Sequence, residues 1–350
     1  MDKFIQLHIL TNYGPSNLNR DDLGRPKTVV VGSVQRLRIS SQCLKRAWRT
    51  AEVFESALSG HIGTRTKEMG KKIYNDLMAG KVEDKKAKEW ATQIAGVFGK
   101  NKEDKKDPMK CLGIEQLAHF SPEEISVIDE LVKNMIRRNS GPSDEELKLL
   151  RKNHGAADIA MFGRMLADNP AFNAEAAVQV AHAFTVHKAA VEDDWFTAVD
   201  DLNKHEEDAG AAHLGEAEFG AGLFYLYVCI DRALLKENLG NNDELVKKAI
   251  SALVESAVTV SPTGKQNSFA SRAYASYVLA EKGDKQPRSL AGAFLKSVSG
   301  DDIFDSAVNS LINTRKAFNA VYGDNSDPKI LNVIKGEGTL ENLKNYCVGK

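Results

Sequence analysis

The segment at residues 219–230, FGAGLFYLYVCI, constrains the fold more than any other part of the chain. It carries no charged residue and is rich in aromatic side chains, which is typical of a central strand buried on both faces of a sheet. It is too short for a membrane span, which needs about 20 apolar residues. With 42% hydrophobic and 27% charged residues, the chain has the composition of an ordinary globular protein. We therefore expect a sheet with this strand in its interior and no membrane partner.

Other segments have the periodicity of strands and helices. Residues 5–9 alternate as in a half-buried strand, residues 178–187 alternate as well, and residues 269–279 predict a further strand. Apolar residues at helical spacing predict one helix that begins at Ser40 or Ser41 and another over residues 242–257. The order approximates a β-α-β-β-α-β plan with inserts between its elements. The predicted fold class is α+β, with an RRM-like or ferredoxin-like sheet.

Residues 55–150 differ in character from the rest of the chain. They are rich in Lys and Glu and show helical periodicity in pieces such as residues 125–135. A chain of 350 residues suggests two domains, or one domain with a large insertion. We expect residues 55–150 to form a helical insertion.

Cysteine spacing and the absence of enzyme motifs argue against several functional classes. The four cysteines lie far apart with no Cys-x-x-Cys pair, so we expect neither a zinc site nor disulfides, and a cytoplasmic location fits. The P-loop, His-Glu-x-x-His and Gly-x-Ser-x-Gly motifs are absent. The acidic pairs at residues 193–194 and 200–201 fit a solvated loop better than a metal site. We therefore expect no cofactor, no metal and no catalytic residue.

The charges are strongly segregated along the chain. Residues 1–50 hold nine cations and three anions, a net charge of +6, whereas residues 192–218 hold ten anions and one cation, a net charge of −9. Both blocks could be solvated surfaces. Blocks of opposite sign also suit head-to-tail association, in which the acidic segment of one copy contacts the basic segment of the next.

The predicted helix after Ser40 carries the most informative pattern. Polar and basic side chains at helical spacing line one of its sides, namely Gln42, Lys45, Arg46 and Arg49, and no acidic residue occurs from residue 23 to residue 51. Ser40 and Ser41 lie at the amino terminus, where unpaired N–H groups attract anions. This pattern predicts a surface that binds successive phosphates, although a solvated surface helix remains an alternative.

At these residues the chain resembles a known family, the CasC-type (Cse-family) backbone subunit of the type I-E CRISPR Cascade complex. The matching segments, in chain order, are residues 15–22 (PSNLNRDD), 38–46 (RISSQCLKR), 158–165 (DIAMFGRM), 181–187 (AHAFTVH), 194–202 (DWFTAVDDL) and 212–215 (AHLG). The resemblance implies a right-hand shape. Its palm would comprise residues 1–54, 151–192 and 216–350, the last with C-terminal helices; residues 55–150 would be helical fingers and residues 193–215 a thumb hairpin.

The resemblance also implies a non-catalytic function in antiviral defence. Copies of the chain would polymerise head to tail along the spacer of the CRISPR RNA, in a ribonucleoprotein with other Cascade subunits. Thumbs would kink the RNA so that the exposed bases pair with target DNA.

The resemblance also implies which residues of this chain bind RNA, where they match RNA-binding positions of the family. Met165, after Arg164, would be an apolar wedge, although a core methionine is the alternative; Trp195 could stack on bases or anchor the hairpin. The full set comprises Arg20, Ser40, Ser41, Gln42, Lys45, Arg46, Arg49, Arg164, Met165, Trp195, Phe196, Thr197, His213, Lys265 and Gln266.

A second hypothesis is a ferredoxin-like endoribonuclease that processes precursor CRISPR RNA. Its general base would be His8, His182 or His213. The sequence shows no compact group of partners around any of these, and His182 is expected to be a satisfied core histidine. We therefore expect a scaffold rather than an enzyme.

Overall fold

A computed structural model of the chain describes residues 2–103, 107, 109–152, 155–198, 213–323 and 327–349, without the side chains of His213 and Leu214. The chain forms two compact units. The first comprises residues 1–54, 180–230 and 250–350, and the second comprises residues 55–179 and 231–249. The middle of the predicted thumb, residues 199–212, lies outside the described residues.

The strands are β1 (Phe4–Ser16), β2 (Thr28–Val31), β3 (Val34–Ile39), β4 (Thr64–Thr66), β5 (Ala118–Phe120), β6 (Val178–Val180), β7 (Ala183–Thr185), β8 (Glu192–Ala198), β9 (His213–Asp231), β10 (Ala275–Gly283) and β11 (Lys329–Asn332). The helices are α1 (Ser41–Arg49), α2 (Glu52–Ala57), α3 (Met69–Ala79), α4 (Asp84–Gly96), α5 (Pro122–Arg138), α6 (Ala157–Phe162), α7 (Arg232–Asn238), α8 (Asp243–Thr259), α9 (Gln266–Phe269), α10 (Ile303–Tyr322) and α11 (Leu340–Val348). Among the helices that the structure describes, none combines the length and the apolarity that crossing a membrane requires.

The first unit is built on a large sheet with the order β11-β10-β1-β9-β7-β3-β2. The pairs β1–β10, β7–β9, β3–β7 and β2–β3 are antiparallel. The stretch β10-β1-β9-β7 brings together the fourth, first, third and second strands of the predicted β-α-β-β-α-β plan, which is the order of a split sheet of that kind. The predicted α+β class is confirmed, and β9 lies inside the sheet as the apolar run of residues 219–230 predicts.

Strand β1 differs from the prediction because both of its faces are buried, not one. The polar residues Gln6 and His8 are as inaccessible as their apolar neighbours. Each has a partner on the adjacent strand: the Tyr227 hydroxyl donates to Oε1 of Gln6 at 2.8 Å, and Nδ1 of His8 lies 2.9 Å from the Tyr225 hydroxyl. Buried polar groups are tolerated where they are hydrogen-bonded, so an alternating pattern did not mean a solvated face here.

A buried charge cluster completes this face of the sheet. Glu281 on β10 accepts hydrogen bonds from Arg315 Nε at 2.7 Å and Arg288 Nη1 at 3.0 Å, and its Oε2 lies 3.3 Å from Nε2 of His8. Burial alone would raise the pKa of Glu281, but these three partners outweigh burial and lower the pKa to about 2. Glu281 is therefore held as a carboxylate inside the protein.

Two other predicted strands have different bounds. The predicted strand at residues 269–279 begins only at Ala275, because residues 266–269 form helix α9 and Ala270 ends it in a left-handed conformation with φ of 49°. The predicted strand at residues 178–187 is interrupted between β6 and β7. The predicted helix over residues 242–257 is confirmed as α8.

The second unit is mainly helical, as the pattern of residues 55–150 predicts. Helices α3, α4 and α5 and the small sheet β4–β5 surround a separate apolar core. Its members include Ile73, Leu77, Trp90, Ile94, Phe98, Phe120, Ile128, Leu131 and Met135. The unit also contains residues 151–179, and therefore Arg164 and Met165.

Candidate nucleic-acid interface

Helix α1 forms where the sequence predicts it, and Ser40 is its N-cap. The Ser40 hydroxyl oxygen accepts a hydrogen bond from the Cys43 N–H at 3.3 Å, which satisfies one of the free donors of the first turn. Leu44 and Trp48 are buried, so the helix packs through this face. The opposite face carries the polar set that the sequence analysis singled out.

The members of that set are not equally accessible. Gln42 and Arg46 are exposed, whereas Lys45 and Arg49 are half-buried and each has a partner within the protein. Burial lowers the pKa of the Lys45 ammonium group. Within the part of the chain that the structure describes, Arg46 has no acidic partner, so its guanidinium group is available to an external anion.

Arg46 and Arg20 line the same cleft. This cleft has a volume of about 490 Å³ and lies between the loop of residues 18–24, one side of α1, and Thr263 and Gly264. A second cleft of about 280 Å³ shares Arg20 with the first and is also lined by Lys265. The structure thus brings together three cationic residues that are far apart in the sequence.

Two sets of contacts hold these loops beside α1. Oδ1 of Asn19 accepts a hydrogen bond from the Ser40 N–H at 2.9 Å, which ties the loop of residues 18–24 to the start of the helix. Gly264 packs so closely on this loop that a Cβ atom would clash with the carbonyl oxygen of Leu18. Sequence reasoning missed Asn19 and Gly264 as parts of the site; the only signal was that Asn19 lies in the PSNLNRDD segment.

Four acidic residues also line these clefts, Asp21, Asp22, Glu216 and Glu218, and two of them, Asp21 and Glu218, are engaged locally. Oδ1 of Asp21 accepts from the N–H groups of Leu23 and Arg25, both at 2.9 Å, and Nε of Arg25 lies 2.9 Å from Oε1 of Glu218. Arg20 is exposed and has no ion pair among the described residues. Guanidinium and ammonium groups in such an arrangement suit phosphate oxygens, which accept hydrogen bonds and carry negative charge.

Three uncharged polar residues of the predicted set, Ser40, Ser41 and Gln266, have different roles. Ser41 is the first residue of α1, and its hydroxyl donates to Oε1 of Gln42 at 3.4 Å. Gln266, next to the exposed Lys265, accepts a hydrogen bond from Ser271 at 3.5 Å. Ser40 is occupied as a cap, so its contribution to binding would be to hold the helix terminus.

The prediction that Arg164 contacts RNA is wrong, because Arg164 is not on the surface. Its side chain is 1% exposed and forms an ion pair with Glu124 at 2.7 Å inside the second unit. Its remaining donors point to main-chain carbonyl groups of the same unit. With its donors so engaged, Arg164 cannot contact RNA directly.

Met165 and Trp195, in contrast, are exposed. Met165 is 74% exposed, so the alternative of a core methionine is wrong. Trp195 is 70% exposed and lies opposite Glu216 in the β8–β9 hairpin, which favours the alternative that it stacks on bases over the one that it anchors the hairpin.

The base of the predicted thumb is a regular hairpin. Its described part pairs β8 with β9 from Glu192–Phe219 to Ala198–His213, with Thr197 opposite Leu214. Phe196 lies against Gly215, where a side chain would clash with the aromatic ring. The side chain of His213 is outside the described part.

The two histidines of the nuclease hypothesis with described side chains differ in accessibility. His8 is fully buried, and burial lowers its pKa although the hydrogen bond to Glu281 opposes this. His182 is exposed rather than a core residue: Nη1 of Arg38 donates to its Nδ1 at 2.7 Å, and partial burial together with the charge of Arg38 lowers its pKa. Among the described residues, no three His, Cys, Asp or Glu side chains are grouped so that they could hold a metal ion.

The chain is similar to CRISPR-associated proteins over its whole length. The model of a family described as CT1975-like protein (Cas_CT1975) matches residues 5–347. A chain of a "CRISPR RNA-guided surveillance complex, pre-nicking" has a TM-score of 0.84 and 29% sequence identity, over 99% of this chain and 99% of that chain. A chain of another "CRISPR RNA-guided surveillance complex" has a TM-score of 0.75 and 23% identity, over 99% of this chain and 100% of that chain, and supports the fold alone. No curated protein matches the sequence.

The resemblance to a Cascade backbone subunit that the sequence motifs indicate is therefore confirmed. Since the family model spans nearly the whole chain, from residue 5 to residue 347, this protein belongs to the family of CT1975-like proteins.

Proposed function

We propose that this chain is a CRISPR RNA-binding subunit of a surveillance complex and that it binds the phosphate backbone of the guide. One observation carries the proposal. Arg20, Arg46 and Lys265 meet on two clefts that share Arg20, in a chain that matches a subunit of a CRISPR RNA-guided surveillance complex at 29% identity. Cations held by folded loops beside a helix fit a ribose-phosphate strand, which presents charge at regular intervals.

The finer proposal is that several copies bind head to tail along the spacer, within a type I-E Cascade. Phosphate contacts leave the base edges free, so that pairing with target DNA supplies the specificity while the protein reads charge and shape. The exposed Met165 and Trp195 offer apolar and aromatic surface to bases that leave the stack at kinks. The acidic residues of the thumb that would contact the next copy, such as Glu206 and Glu207, lie outside the described residues.

We also propose that the subunit has no catalytic role. A nuclease of this class needs a histidine with one accessible ring nitrogen near a 2′-hydroxyl group. His8 is fully buried with both ring nitrogens near partners, and Nδ1 of His182 accepts from Arg38. The burial of His8 supports a scaffold over a ribonuclease, whereas the exposed His182 is tested by substitution below.

The test uses the purified full chain with three RNAs of equal length, two unrelated spacers and one repeat-containing precursor, and a fourth, longer spacer RNA for counting bound copies. We expect similar affinity for all three, more copies bound to longer RNA in native mass spectrometry, and an intact precursor after incubation. Binding restricted to one sequence would refute backbone binding. Cleavage of the precursor that is lost in His182→Ala would favour the nuclease.

A further inference from the structure

The segment around Met165 has an unusual pattern of exposure. Met165 is 74% exposed, whereas Arg164 before it and Leu166 after it are both almost fully buried. Leu166 belongs to the apolar core of the second unit, and its N–H donates to Oδ1 of Asn173. The main chain of Met165 is therefore held on both sides, while its side chain extends into solvent.

Arg164 provides the anchor on the amino-terminal side. Its Nη1 donates to Oε2 of Glu124 at 2.7 Å and to Oε1 at 3.0 Å, and its Nη2 donates to the carbonyl groups of Arg151 and Phe172, both at 3.0 Å. The planar guanidinium fork can hold a carboxylate and carbonyl groups together, which a lysine cannot do. This one side chain thus joins three separate segments of the unit.

Glu124 is itself held rigidly. It is the N3 residue of the capping box of α5: its Oε2 accepts from the Ser121 N–H at 2.9 Å, while the Ser121 hydroxyl accepts from the Glu124 N–H at 3.1 Å. The Arg151 N–H also donates to Glu124 Oε1 at 2.9 Å. The ion pair therefore connects the Met165 segment to the amino terminus of a 17-residue helix.

Stability alone does not explain such a pair. Taking both charges out of water is costly, and apolar residues of the same volume often serve stability as well or better. Gly163, next to Arg164, has φ of 84° and packs against Ala174 and Ala176, so the turn that precedes Met165 is also narrowly defined. A costly ion pair next to a defined turn is the arrangement that fixes the geometry of a contact residue.

We infer that Arg164 is a positioning residue: its buried ion pair with Glu124 fixes the direction in which Met165 is presented to the RNA. The inference rests on the proposed function, because it requires that Met165 contacts RNA. It replaces the predicted direct contact of Arg164 with RNA by a role through its neighbour.

The experiment uses the full chain with ¹³C-methyl-labelled methionine and RNAs with 2-aminopurine at each position in turn. The chain has seven methionines, and Met165→Ala identifies the signal of Met165. In Arg164→Lys without RNA, we expect the Met165 methyl signal to broaden or to move towards its value in the unfolded chain. With RNA, some 2-aminopurine positions should fluoresce more strongly than the others in the wild type. In both Arg164→Lys and Met165→Ala, we expect these positions to lose at least half of that difference.

Two further variants keep the test decisive. Leu77→Ala, in the core of the same unit, controls for a general loss of stability and should keep the wild-type fluorescence pattern. If Arg164→Lys does not fold, the double variant Arg164→Met with Glu124→Leu replaces the pair by apolar residues and should show the same two losses.

The outcomes separate this inference from the proposed function. A wild-type methyl signal and fluorescence pattern in Arg164→Lys would overturn the positioning role alone. A wild-type fluorescence pattern in Met165→Ala would refute the contact of Met165 with RNA, and with it both proposals for this segment.

Discussion

Replacing Arg20 and Arg46 together by alanine tests the phosphate-binding surface most directly. Both are exposed, both line the larger cleft, and neither has an ion pair within the part of the chain that the structure describes. The substitutions therefore remove two charges with little effect on folding, within about 0.5 kcal/mol for exposed positions. The expected change is in the salt dependence of RNA binding.

The magnitude follows from the number of cations in the proposed site. Three cations without an ion pair among the described residues line the two clefts: Arg20, Arg46 and Lys265. At about −0.7 per contact with single-stranded RNA, the slope of log K against log salt is about −2.1 for the wild type and about −0.7 for the double variant. Between about 50 and about 200 mM salt, affinity should fall ~20-fold for the wild type and ~3-fold for the variant.

Fluorescence anisotropy with two unrelated RNAs of equal length measures both slopes. The ratio of the two affinities should stay the same in the variant, because phosphate contacts carry no sequence information. Lys296→Ala with Lys316→Ala is the matched control, since it removes two exposed cations of the first unit that line neither cleft. A wild-type slope in the Arg20/Arg46 variant, or an equal change in the control, would refute the assignment of this surface.

Three further predictions follow, two on the residues that shape the site and one on the buried charge cluster of the sheet. Ser40→Ala should lower the free energy of unfolding in urea by about 1 kcal/mol through loss of the N-cap, and Ser41→Ala by much less. Gly264→Ala should displace its loop and weaken RNA binding in a filter assay, whereas Gly14→Ala, with no atom within 4 Å of the new methyl group, should not. The Glu281 pKa of about 2 lies below its ordinary value of 4.5, so the carboxylate contributes stability above about pH 4.5 that is lost as the pH falls towards 2. In urea unfolding, Glu281→Gln should have a lower free energy of unfolding than the wild type at pH 7, and this free energy should fall less between pH 4.5 and pH 2. An unchanged pH profile of the free energy of unfolding would contradict the ion-pair assignment.

Local patterns predicted those elements whose burial follows from their own sequence. The apolar run at residues 219–230 became the inner part of β9, and the stripe of Leu44 and Trp48 became the buried face of α1. A serine cap at Ser40 or Ser41 could be predicted because a serine hydroxyl accepts hydrogen bonds from the first free N–H groups of a helix, and the structure selects Ser40. In each case the signal that predicts the structure lies in residues close together in the chain, although the energy of burial comes from distant partners.

Other features depended on partners that are distant in sequence. His8 is polar, but its partners Tyr225 and Glu281 lie more than 200 positions away, so the alternating pattern of β1 was interpreted as a solvated face. Arg164 lies within a segment that resembles the family, yet only the fold shows that Glu124 neutralises it. The exposure of Trp195 likewise could not be deduced from the residue type, because tryptophan serves both as an anchor and as a contact surface.

Contacts between residues that are distant in sequence also explain why the net charge of the chain says little about its partner. Not every cation of the basic amino-terminal segment is available: the Arg36 guanidinium is buried and donates to the carbonyl groups of Thr185 at 2.7 Å and Phe294 at 2.9 Å. Arg36 therefore supports the sheet and adds nothing to the surface charge that RNA would meet. Conversely, Arg20 and Arg46 face one cleft although the whole chain has a net charge of −1. Because salt screens charges beyond about 10 Å, a polyanion responds to a local group of cations and not to the net charge of the whole protein. A nearly neutral chain can therefore still bind the phosphate backbone of RNA.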